Sequence, residues 1–90
     1  MTIIKLPGLY RYYVNGANNL DYPGNSVREV LEAVFLDYPA LRKQLFDSKG
    51  EKKRHINIFV NKASIKDLNL LDTFVKPGDE ITIIPNISGG

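Results

Sequence analysis

The chain of 90 residues ends on Ser88-Gly89-Gly90, placed directly after the apolar run Ile81-Thr82-Ile83-Ile84 and Pro85. Glycine has no Cβ, so a di-glycine end takes extended or positive-φ conformations and can thread a channel too narrow for any other residue. The chemistry open to such an end is acyl transfer from the Gly90 carboxylate. A carboxylate is a poor electrophile because it already carries the charge a nucleophile would add, so it must first become an acyl-adenylate or an equivalent. Termini are also commonly frayed and rich in glycine, so these residues alone leave a reagent and an idle end both open.

Nothing else in the chain could perform the activation. There is no GxxxxGK[ST] loop to cradle phosphates. No cysteine is present, which removes disulfides, CxxC metal sites and a thiol nucleophile. The single histidine, His55, abuts a strand-like run without a serine or cysteine constellation and reads as structural. No catalytic residue, metal site or bound cofactor is therefore expected of this chain. Any sulfur chemistry would take its sulfur from outside.

Length and composition frame the rest. Ninety residues suit one domain, because dividing them would leave two insufficient cores. We expect a folded body over residues 1–85 and a flexible tail over 86–90. A hydrophobic share of 43% and a charged share of 24% suit a globular chain. A net charge of +2 is too slight to argue for nucleic acid. Residues 1–7 lack a signal-peptide pattern and no apolar run approaches a membrane span, so a cytoplasmic setting without a membrane partner is expected.

The elements that must position the tail follow from periodicity. Residues 2–6 form a first strand, stopped by Pro7-Gly8. Residues 9–14, rich in aromatics and followed by Asn15-Gly16, predict a second strand and a tight hairpin, with a returning strand through about 20–22. Ser26 and Glu29 have capping-box spacing, so a helix starts at Val27. Val27, Val30, Leu31, Val34 and Phe35 supply its buried stripe. Beyond Pro39, residues 40–46 predict a further helical turn or two with Leu41 and Leu45 inward. Residues 47–54 are a polar loop, whose Lys49, Lys52, Lys53 and Arg54 are either solvated or a docking patch.

Ile56, Ile58 and Val60 alternate with Asn57, Phe59 and Asn61, the period of a strand with one buried face. A polar hairpin-like piece follows over 61–66. Lys76-Pro77-Gly78-Asp79 has Pro and Gly where a type II turn wants them, and residues 80–84 form the last strand. Ile81 and Ile83 then face the core, which turns Phe59 and Ile84 outward together. Such a pair is either a docking patch or scattered surface apolar area. The element order predicts an α+β roll of the β-grasp (ubiquitin-like) type: a mixed sheet, one main helix on one face, the first and last strands central.

The run 55–61, then Leu71-Asp72, then 78–85 and terminal Gly89-Gly90 resemble the ubiquitin-like sulfur carriers. That family includes the molybdopterin-synthase small subunit (MoaD), the thiamin carrier (ThiS) and the cysteine-biosynthesis carrier (CysO). The resemblance covers nearly the whole chain and is most specific from His55 onward. The long segment 27–54 is closer to the molybdopterin and cysteine types, and the loop before the Asn-Ile-aromatic-Val-Asn strand leans towards the cysteine carrier. The tyrosine-rich stretch Tyr10, Tyr12, Tyr13 departs from the pattern.

The resemblance implies a protein co-substrate rather than an enzyme. A ubiquitin-activating-like adenylyltransferase would use ATP to adenylate Gly90. A sulfur donor would convert the adenylate to a thiocarboxylate, and a downstream sulfur-accepting enzyme would receive the sulfur. Ser88 and Gly89 would form the tail, and Phe59 and Ile84 part of the partner-binding surface. Two other readings stay open at this point: a protein modifier joined through Gly90 to lysines, and a β-grasp interaction module with an incidental tail.

Overall fold

Strand and helix periods alternate along the chain and place one sheet against one helical layer. The computed structural model describes residues 1–86. Its strands are β1 (Thr2–Lys5), β2 (Asn19–Tyr22), β3 (Ile56–Val60), β4 (Ala63–Ser64) and β5 (Glu80–Pro85). They form a mixed sheet in the order β2-β1-β5-β3-β4. β1 and β5 run parallel, from Ile3↔Glu80 to Lys5↔Thr82, while β3 lies antiparallel to β5 from Ile56↔Pro85 to Val60↔Ile81. The first and last strands are thus interior, as expected for a β-grasp sheet. β5 runs one residue beyond its expected end, with Pro85 paired to Ile56.

Helix α1 (Val27–Asp37) starts where the capping pair demands. Ser26 Oγ accepts the Glu29 N–H at 3.1 Å, and Glu29 Oε1 accepts the Asn25 N–H at 3.0 Å. Its stripe of Val27, Val30, Leu31, Val34 and Phe35 is buried. The preceding loop meets α1 closely at Gly24, where a Cβ would sit 2.8 Å from the Val30 backbone nitrogen. Pro39 opens α2 (Pro39–Leu45), and Leu41 and Leu45 turn inward as expected. One hydrophobic core joins both helices to Ile4, Ile56, Ile58, Ile81 and Ile83 of the sheet. At the sheet edge the Tyr22 hydroxyl donates to the Asp37 carboxylate, a bond that pushes the tyrosine up to about 12.

One expectation is corrected. Residues 9–14 are not a strand: Gly8–Val14 is a 3-10 helix, and β2 returns directly against β1 from Thr2↔Tyr22 to Lys5↔Asn19. Asn15 and Gly16 do adopt positive φ (56° and 82°), but they end that helix rather than join two strands. The reason is burial. Tyr10 and Val14 lie four apart and both enter the core, with Tyr13 packed against it, whereas Tyr12 is 87% exposed. A strand would put Tyr12 on the same face as Tyr10 and Val14 and turn Tyr13 to the opposite one, whereas a helical turn gathers Tyr10, Tyr13 and Val14 on its inner side and leaves Tyr12 out.

Candidate functional site: the outer sheet face and the root of the tail

Strand alternation decides which side chains are left off the core. In the β3–β5 ladder Ile58 opposes Ile83 and Val60 opposes Ile81, all buried against the helices. The intervening pairs, Phe59 with Thr82 and Asn57 with Ile84, must then point to the other face. Phe59 and Ile84 are consequently diagonal neighbours on the outer face, within reach of one another. Ile84 is 46% exposed and Phe59 is half-buried. Across β5 the same face carries Ile3 and Lys5, whose ammonium pairs with Glu80 at 2.9 Å. Ile3, Asn57 and Thr82 belong to this surface too; the alternation that exposed Phe59 and Ile84 could have identified them.

The start of β5 is locked by a motif that reads as a signature in sequence and proves structural. In the turn before β5, Gly78 takes φ 94° and the Asp79 N–H donates to the Lys76 carbonyl at 3.0 Å. The buried Asp79 carboxylate accepts from the Lys76 N–H at 3.0 Å and from Asn61 Nδ2 at 3.2 Å. Asn61, at φ 55°, completes the clasp: its N–H donates to the Glu80 carbonyl at 2.7 Å and its Oδ1 accepts the Glu80 N–H at 3.1 Å. The Lys76 backbone bond holds the Asp79 carboxyl below the usual carboxylate range. Burial opposes this, while Asn61 and the Lys76 ammonium assist. This clasp fixes where β5 begins, and so which of its residues face outward.

The far end of β5 is the root of the tail. The Asn86 N–H donates to the His55 carbonyl, one step past the Ile56↔Pro85 pair. His55 thus contributes its backbone there, and its residue is exposed. Ser88, Gly89 and Gly90 lie outside the described residues. Of the four loop cations, Lys52 has a structural use: its ammonium donates to the Ile56 and Lys53 carbonyls at 2.6 and 3.2 Å. Burial, assisted by Lys66, pushes that ammonium below its ordinary value. Among the described residues no group of three or more His, Cys, Asp or Glu is placed to hold a metal ion. No described helix is long and apolar enough to cross a membrane.

Comparison with known proteins agrees with this architecture. The ThiS family model matches residues 4–90. The sulfur carrier protein CysO of Mycobacterium tuberculosis is 27% identical over 89 residues, covering 97% of this chain and 96% of that one. Among solved structures, the Amycolatopsis orientalis BexX/CysO complex contains a chain that superposes with a TM-score of 0.92 at 26% identity, each chain fully covered. Small archaeal modifier protein 1 from Methanosarcina acetivorans superposes with a TM-score of 0.85 at 36% identity, covering 99% of this chain and 95% of that one. With its β-grasp sheet and a family match spanning nearly its whole length, the chain belongs to the ThiS family of sulfur carriers.

Proposed function

We propose that this protein carries sulfur on its own C-terminus, as a co-substrate and not as a catalyst. The Gly90 carboxylate attacks the α-phosphorus of ATP in a partner adenylyltransferase, releasing pyrophosphate and forming an acyl-adenylate. A sulfur donor then displaces AMP, leaving a thiocarboxylate. The thiocarboxylate sulfur is a soft nucleophile on a tether, suited to delivery to a downstream acceptor enzyme. Residues 1–85 act as the handle and 86–90 as the reaching segment. Neither ATP nor another cofactor is held by this chain in that scheme.

The observation that carries the reading is the placement of β5. This central strand bears Ile84 on the outer face and runs straight to Asn86, the last described residue. Four residues follow Asn86 in sequence, a span of at most about 14 Å when extended. A partner that grips Phe59 and Ile84 can therefore take hold of Gly90 at the same time. Gly89 supplies clearance in the partner's channel. The similarity to CysO, together with the length of segment 27–54, favours cysteine-type or molybdopterin-type biosynthesis in the cytoplasm over the compact thiamin type.

A second reading rests on the 36% identity to a small archaeal modifier protein. A lysine amine, instead of a sulfur donor, would displace AMP and form an isopeptide bond. Intact mass after incubation with ATP, the activating enzyme and a sulfur donor separates the two. Exchange of one oxygen for one sulfur supports carriage. Adducts on other proteins with no such exchange would replace it with modification.

A further inference from the structure

On the helical side of the sheet, away from Phe59 and Ile84, a hollow of about 650 Å³ lies between α2 and the loop that follows it. Pro39 and Phe46 give it an apolar wall, and Arg42, Lys43 and Lys53 bring three cations. Asp47 and Ser48 complete the lining. Asp47 is the lone carboxylate among the described lining residues, and its Oδ1 is committed to its own loop, accepting the Lys49 and Glu51 N–H groups at 2.9 and 3.0 Å.

The wall is preformed. The Asp47 N–H donates to the Glu51 carbonyl and the Lys53 N–H to the Leu45 carbonyl, at 2.8 and 2.9 Å, which folds the loop back onto the end of α2. Arg42 is held in place: Nη1 lies 3.4 Å from both Glu32 oxygens, and the guanidinium sits over the Phe35 ring at 5.9 Å. Lys43 and Lys53, by contrast, enter no ion pair among the described residues. Two uncommitted ammonium groups beside one anchored guanidinium give a concave site with surplus positive charge.

We propose that this hollow binds a small phosphate-bearing molecule with an apolar body. Lysine serves as a point-charge phosphate ligand, and several cations around one space suit a dianion better than a single carboxylate. The volume falls in the range of about 300–1,000 Å³ usual for small-molecule sites and exceeds what a bare phosphate fills. The unfilled part is the side walled by Pro39 and Phe46. Its described lining residues lie in α2 and residues 46–53, so sulfur carriage and this binding can be tested separately.

The test is titration of the full chain, followed by backbone amide spectra, with inorganic phosphate, phenyl phosphate, phenol and a glutamate-rich peptide. Phenyl phosphate should shift the Phe46, Ser48 and Lys53 amides saturably and bind more tightly than inorganic phosphate, while phenol leaves them unmoved. Lys43→Gln with Lys53→Gln should weaken phenyl phosphate by about tenfold or more. Binding should also fall as ionic strength rises from about 0.01 M to 0.15 M. Lys43→Gln alone, on an exposed residue, gives the same direction should the double variant fail to fold. Absent or unsaturable shifts, or shifts unchanged in the variants, would overturn the proposal. So would a response to the acidic peptide alone, which would move the site to a protein partner.

Discussion

The two faces of the sheet are built from the same strands, yet they spend their apolar residues differently. On the inner face Ile4, Ile56, Ile58, Ile81 and Ile83 are at most 1% exposed and meet both helices. On the outer face Phe59 and Ile84 stand one residue along the same strands with no described helix over them, and Ile84 keeps 46% of its surface in solvent. Folding accounts for the first set through burial. It does not account for the second, which the proposed function assigns to a partner.

Truncation on the inner face should have the largest effect on stability. Ile58→Ala leaves a cavity between β3 and the helices and should cost about 2–5 kcal/mol, read by denaturant unfolding. A cost below about 1 kcal/mol would show the inner face to be loosely packed. Next comes the clasp that sets which residues of β5 face outward. Asp79→Asn should cost about 1.5 kcal/mol at neutral pH, since it weakens hydrogen bonds to a charged group.

The pH dependence of that clasp follows from the direction of its shift. The Asp79 carboxyl is held below its ordinary value, so its contribution is fully present above the ordinary value of 3.8. It is lost as pH falls from there through the lower folded-state value. Unfolding curves of the parent and the Asn variant should therefore converge in acid, and a constant gap between them would contradict the assignment.

Smaller effects belong to the outer face. Phe59→Asp, at a half-buried position, should cost more than Ile84→Asp, which should lose about 1 kcal/mol or less. Both should weaken binding to the activating partner, measured by calorimetry. A large stability loss for Ile84→Asp would return that residue to the core and erase the contrast between the faces. The smallest effect on stability is expected in the tail: Gly89→Val should leave unfolding unchanged while blocking adenylation in the partner's channel.

Much of this was legible wherever the local period and the tertiary role agree. The alternation at Ile56, Ile58 and Val60, the stripe from Val27 to Phe35 and the Ser26–Glu29 cap each specify one face or one boundary, and the fold uses them so. Residues 9–14 misled because their aromatic content suggests a strand, while an exposed Tyr12 between the buried Tyr10 and Val14 breaks a strand's alternation and suits a helical turn. Asn15-Gly16 compounded the error, since positive φ serves a helix end as well as a hairpin. The Gly78-Asp79-Glu80 run was recognisable as a signature, but its reason lies in Asn61, a contact across 18 residues that no local pattern displays. The hollow beside α2 was illegible for the same reason: Lys43 and Lys53 come together only once the loop folds back.

The claim that the terminal carboxylate is the reagent is tested most directly by removing Gly90 and following ATP–pyrophosphate exchange with the activating enzyme. The shortened chain should keep the parent's amide spectrum over residues 1–86 and support no exchange. Exchange at the parent rate would show that the chemistry lies elsewhere in the molecule.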